Sequence, residues 1–151
     1  MNPGAFENRG PFVQIATICE QVITENSGAI TLFRIVSGFG SEGDDSNHVA
    51  LDGEFVLKLT GIPEAPETEY PETLSIRIIN GRGETISTIG ELQIHGTPEL
   101  LLKSPLSGIH IPKSGSSVIL TTLGARVLSV VRLDIEDDPA SNARSATAAP
   151  E

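Results

Sequence analysis

Residues 12–39 read FVQIATICEQVITENSGAITLFRIVSGF, two apolar runs on either side of Glu25-Asn26-Ser27-Gly28. β-Branched and aromatic side chains fit a pleated, half-buried surface, whereas Asn, Ser and Gly break it. The stretch predicts an antiparallel hairpin as the first element, with strands over residues 12–24 and 29–39. If the second strand is regular, Thr31, Phe33 and Ile35 share one face. Ile30, Leu32 and Val36 then share the other with Arg34. Apolar residues on both faces suit a central strand, or one whose outer face meets a partner.

Working outward, residues 40–48 form a polar loop and residues 49–60 a further strand. Phe55, Leu57 and Leu59 alternate there with Glu54, Lys58 and Thr60, so one face is core and the other wet. Leu74, Ile76 and Ile78 alternate in the same way with Ser75, Arg77 and Ile79. Asn80-Gly81-Arg82-Gly83 is a tight turn, because Asn-Gly accepts the positive φ of a type I′ turn. A weaker strand over residues 84–95 follows. Residues 98–103, PELLLK, are compatible with a helical turn opened by Pro98 or with a short strand, and irregular structure is the favoured expectation. Residues 116–122 and 127–135 form a last hairpin. In its second strand Val127, Ser129, Val131, Leu133 and Ile135 are expected opposite Leu128, Val130, Arg132 and Asp134.

Short strands with turn signals between them, and no amphipathic helix, predict an all-β fold. The expected architecture is an antiparallel two-sheet sandwich of about seven or eight strands, immunoglobulin-like in general shape. The Cys…Trp…Cys signature of true immunoglobulin domains is absent. A chain of 151 residues suits one domain, here residues 12–138. Residues 1–11 read as a mobile arm. Residues 139–151, PASNARSATAAPE, are expected to be disordered or docked on a partner, since they offer no core residue to offset their ordering entropy.

Composition narrows the functional classes. Net charge is −10 from 20 acidic and 10 basic residues. Phosphate backbones are neutralised by Lys and Arg, so neither nucleic acid nor anionic membrane is an expected partner. Aromatics make up 4% of the chain and Trp is missing, which is poor material for a base-stacking platform. The single cysteine, Cys19, precludes an intrachain disulfide. Together with an N-terminus that lacks the charge and hydropathy pattern of a signal peptide, this sets a cytoplasmic expectation.

Few motifs carry chemistry. Gly38-Phe39-Gly40-Ser41-Glu42-Gly43 matches G-x-G-x-x-G, but a dinucleotide site needs a helix opening at the last glycine. Asp44 and Asp45 follow instead, and their carboxylates would repel a phosphate. No cofactor is expected. The same loop offers Glu42, Asp44 and Asp45 as oxygen ligands, and Asp134 and Asp137 close the last strand. Calcium takes several such oxygens, so loops 40–48 and 134–138 form a candidate ion or small-ligand site if the fold brings them together. His48, His95 and His110 are not spaced as ligands on one turn or strand face. No G-x-S-x-G elbow marks a nucleophile. Cys19 lies within a strand pattern, where a buried apolar thiol is the usual case. No catalytic residue is assigned.

The segment VQIATICEQVITENSGAITLFRIVSGF, with the strand that follows LDGEF, resembles a family of small uncharacterised bacterial proteins. Arg34-Ile35-Val36-Ser37 stands where that family ends a strand on an acidic residue. The resemblance implies a β-sandwich of bacterial or phage origin and carries over no activity or site. The expectation is therefore a non-enzymatic interaction or structural module that binds protein, itself included, as a homo-oligomer. Its interface candidates are Leu32, Val36, Leu128 and Val130, the apolar members of two suspected outer faces.

Overall fold

The computed structural model describes residues 10–36, 38–40, 47–62, 73–94 and 98–136. The proposed N-terminal arm and C-terminal tail lie essentially outside them. The described residues are all-β, with no helix among them. In chain order the strands are β1 (Phe12–Thr24), β2 (Ile30–Ile35), β3 (Phe39–Gly40), β4 (His48–Ala50), β5 (Glu54–Thr60) and β6 (Thr73–Ile79). There follow β7 (Thr85–Gln93), β8 (Glu99–Pro105), β9 (His110–Pro112), β10 (Ser117–Leu123), β11 (Arg126–Leu133) and β12 (Ile135–Glu136).

Two antiparallel sheets of four strands carry the fold, in the orders β2-β1-β5-β8 and β11-β10-β6-β7. A short antiparallel pair, β4 with β9, and a parallel pair, β3 with β12, complete it. The clean alternations read from the sequence build the core. Phe55, Leu57 and Leu59 of β5 are buried in one cluster with Leu74, Ile76 and Ile78 of β6 and Ile119 of β10. Both four-stranded sheets thus contribute to the same apolar cluster. Their paired neighbours Lys58 and Arg77 are only partly buried.

The stretch expected to be irregular, residues 98–103, is corrected by the structure. It forms the edge strand β8, paired along the whole of β5 from Thr60↔Glu99 to Glu54↔Pro105. Three consecutive leucines had hidden its period. Leu100 and Leu102, opposite Leu59 and Leu57, pack against the main core, whereas Leu101 packs on a separate cluster. Pro98 precedes the strand and Pro105 is its last residue, a position that an edge tolerates because the missing N–H is not needed there.

The second sheet bends through bulges. Ile76↔Gly90 is followed by Arg77↔Thr88, and Ile78↔Ser87 by Ile79↔Thr85. Ile89 and Ile86 are therefore the extra residues of β7. Likewise Thr121↔Ser129 is followed by Thr122↔Val127, which makes Leu128 the extra residue of β11. All three are apolar, and all three pack against the main core. A bulge re-aims a side chain and interrupts the ladder that an edge strand offers to a further chain. Here it does both on β7 and β11, the two edges of that sheet.

Candidate interaction surface

β1 divides its pairing between two neighbours. Phe12 to Cys19 pair with β5, and Cys19 to Thr24 pair with β2. Beyond Cys19 the hairpin is a two-stranded ribbon without β5 alongside. On the side that β5 would have occupied, the Val22 N–H donates to the Glu54 carboxylate at 2.9 Å. A backbone donor left over by the shorter neighbour is thus satisfied by a side chain, as a half-buried donor must be.

The ribbon changes phase at its root. The Val36 N–H donates to the Ile18 carbonyl at 2.7 Å, and the Glu25 N–H to the Ala29 carbonyl at 2.8 Å. Bonded pairs in an antiparallel ladder recur every second residue. Ile18 and Glu25 are an odd number apart, yet the residue register is the same from Cys19↔Ile35 to Thr24↔Ile30, so it is the bonding phase of the ladder, not the register, that slips between them. The slip coincides with Arg34, whose φ of 52° is the one positive value at a non-glycine residue among those described. Opposite it, the Glu20 carboxylate lies 3.7 Å from the Arg34 guanidinium. Both side chains are mainly in solvent, so that ion pair adds little.

The slip decides which side chains face the protein. Cys19 and Val22, three residues apart, both join Val56 of β5 in a second, smaller core. Ile30, Leu32, Ile15 and Leu101 pack against it. Val36, past the slip, packs against the main core instead. On the ribbon's other face, Gln21 pairs with Phe33 and Ile23 with Thr31. Ile23 and Phe33 are diagonal neighbours there, close enough to touch, and are 40% and 51% exposed. Ile35, paired with Cys19 at the root, is 65% exposed.

The four interface candidates are thereby divided. Val130 is exposed at 55%, on the outer side of β11 beside Leu120. Leu32 is half-buried on the second core, and Val36 and Leu128 are half-buried on the main core. Strict alternation grouped Leu32 with Val36, and Leu128 with Val130. The slip at Arg34 separates the first pair and the bulge at Leu128 separates the second. The exposed apolar residues that parity reasoning did not single out are Phe12, Ile23, Phe33, Ile35 and Val127.

The described ends of the two acidic segments meet at one point. β3 and β12 run parallel, with Phe39↔Ile135 and Gly40↔Glu136, and the Phe39 N–H donates to the Asp134 carbonyl at 2.9 Å. The two strands therefore point the same way at Gly40 and Glu136. The Asp134 carboxylate lies 3.0 Å from the Arg132 guanidinium. Glu42, Asp44, Asp45 and Asp137 lie outside the described residues, as does His95. Among the described residues no three His, Cys, Asp or Glu side chains gather in a way that could hold a metal. His48 and His110 sit on the paired strands β4 and β9 without standing opposite each other.

Cys19 is fully buried. Burial pushes its thiol above the ordinary value of 9.0, the Glu54 carboxylate pushes it further, and backbone hydrogen bonding at Gln21 works the other way. A thiolate is the reactive form, so Cys19 is placed as a packing residue rather than a nucleophile. No protein-family model, curated protein or solved structure matches the chain.

Proposed function

We propose that the chain is a non-enzymatic protein-interaction module, built as an immunoglobulin-like two-sheet sandwich and binding protein, a second copy included, through the overhanging β1–β2 ribbon. The observation that carries this reading is the exposed pair Ile23 and Phe33 on a ribbon whose opposite face is anchored by Val22 and Leu32. The sharing of one apolar cluster by both four-stranded sheets favours the sandwich. A cytoplasmic setting accompanies the reading. Among the described residues no helix is long and apolar enough to cross a membrane.

Magnitudes set the expected strength. Covering the exposed halves of Ile23 and Phe33 gains about 1 kcal/mol each. Association costs at least ~4 kcal/mol in lost rigid-body freedom, so this pair acts as the centre of a larger contact. The bulged edges of β7 and β11 and the slip at Arg34 disfavour growth of either sheet by added strands. The contact is thus made by side chains. Light scattering across a concentration series tests self-association. A mass that rises with concentration and falls back in Phe33→Ser supports it. A strict monomer at ~100 μM, a concentration that detects complexes bound by more than ~5 kcal/mol, rules out the homo-oligomer.

The parallel β3–β12 pair favours a second reading, an ion- or small-ligand site shared by loops 40–48 and 134–138. A ligand that binds only the folded state raises the melting temperature by mass action. Millimolar calcium is then expected to raise it, and an unchanged Tm removes the reading.

A further inference from the structure

A groove of about 480 Å³ lies between the β6–β7 turn and the β9–β10 turn, lined by Asn80, Gly81, Arg82, Pro112, Ser114 and Gly115. The two turns are pressed together. A Cβ on Gly81 would lie 3.3 Å from the Ser116 backbone nitrogen and 3.5 Å from its backbone oxygen, so a side chain there would crowd the facing wall. Asn80 braces the first turn from within. Its Oδ1 accepts the N–H groups of Arg82 at 2.9 Å and Glu84 at 3.0 Å, and its Nδ2 donates to the Glu84 carboxylate at 3.1 Å. Glu84, two residues from Arg82, is thereby committed to Asn80.

That brace leaves an unusual arginine. Arg34 faces Glu20, Arg77 donates to Thr85, Arg126 donates to the carbonyls of Gly10 and Pro11, and Arg132 faces Asp134. Arg82 has no side-chain partner among the described residues, and it lines this groove. A guanidinium presents a planar fork of donors matched to a carboxylate or phosphate. The net charge of −10 opposes an anion at long range. At physiological salt that field is screened within about 8 Å, so the local group decides.

We propose that this groove is a binding site for an oxyanion group, the carboxylate or phosphate of a small molecule, held by the Arg82 guanidinium with the Ser114 hydroxyl as a second donor. The site is independent of the β1–β2 ribbon. The test is an amide-resolved NMR titration of the full chain with sodium phosphate and, separately, sodium acetate, at constant ionic strength. The expected result is a saturable shift confined to residues 80–84 and 112–116, with a dissociation constant in the ~mM range. Saturation by only one of the two probes identifies the chemistry that the groove accepts. Arg82→Gln is expected to weaken binding at least tenfold, Arg82→Lys less, and Arg132→Gln not at all. Arg82 is exposed, and a spectrum of Arg82→Gln that otherwise superimposes on the parent verifies its fold. Shifts that fail to saturate with both probes, that persist unchanged in Arg82→Gln, or that are equally large around Arg126 and Arg132 overturn the proposal.

Discussion

Val56→Thr replaces a methyl group by a hydroxyl of nearly the same size at a site with no solvent exposure. Its neighbours in the second core, Cys19 and Val22, offer no oxygen side chain. Losing the buried methyl costs about 0.8 kcal/mol. Leaving the new hydroxyl without a partner costs about 1–3 kcal/mol more. The sum of roughly 2–4 kcal/mol corresponds to a Tm loss of roughly 4–16 °C for a domain of this size. Thr17 stands opposite Val56 across the strand pair and is the group that could satisfy the hydroxyl. Thr17→Val alone and combined with Val56→Thr closes a double-mutant cycle, and any rescue appears there as coupling. Val130→Thr, on an exposed site, is the control and is expected to stay within about 0.5 kcal/mol of the parent. Thermal melts followed by circular dichroism measure all four variants. If Val56→Thr and the double variant both melt within 2 °C of their backgrounds, β5 carries water on that face. The second core that anchors the ribbon would then not exist.

Three further outcomes follow from particular residues. Thr121 is fully buried and its hydroxyl has no hydrogen-bond partner among the described residues, so Thr121→Val is expected to stabilise by about 1–2 kcal/mol, and an unfolding midpoint in urea that falls instead would reveal a hidden partner. Gly53 has a φ of 89° and a Cβ there would meet the Cys19 carbonyl oxygen at 2.6 Å, whereas Gly83 has a φ of 84° and open space around it. Gly83→Ala is therefore expected to cost about 1–2 kcal/mol from the left-handed backbone alone, and Gly53→Ala more in the same melt. The raised Cys19 thiol favours the folded state fully below its ordinary value of 9.0, and that contribution is lost as pH rises through the folded-state value. Stability should accordingly fall more steeply above pH 9.0 in the parent than in Cys19→Ala, and Glu54→Gln should lower the pH midpoint of Cys19 alkylation without bringing it to the ordinary value, because burial is the larger cause.

The central strands β5 and β6 were legible and the edge strands β7 and β11 were not, for one physical reason. β5 and β6 are flanked on both sides by partners that hold the ladder in register, so Phe55, Leu57 and Leu59, and Leu74, Ile76 and Ile78, keep strict alternation. Period-2 reading assumes that register. On β7 and β11 one side is free, and the chain admits an extra residue wherever turning it inward buries apolar surface. Ile86, Ile89 and Leu128 are those residues. Nothing in residue type distinguishes them from the isoleucines of β6. The candidate surface suffered in the same way. Its sequence signal was apolar character on both faces of residues 30–36, which is present. Its assignment to Leu32 and Val36 assumed no slip, and a positive φ at an arginine is not written in the residue type.

The devices that hid the surface also constrain how it can act. An edge strand that keeps perfect register presents a ready ladder to any extended chain. β2 breaks that ladder at Arg34, β7 breaks it twice and β11 once, while β8 carries Lys103 within the strand and Pro105 at its end. A ribbon that overhangs its sheet would otherwise be the easiest place for indiscriminate strand addition. With the ladder out of phase, what the ribbon offers is the pair Ile23 and Phe33, and side chains discriminate between partners by shape where a backbone ladder does not. For the proposed binding, Leu32 and Val22 then matter without touching a partner, because burying them on Cys19 and Val56 holds Phe33 on the exposed side. The proposed recognition surface and the small core are two faces of the same ribbon, so weakening the packing at Val56 should weaken the proposed contact at Phe33 as well.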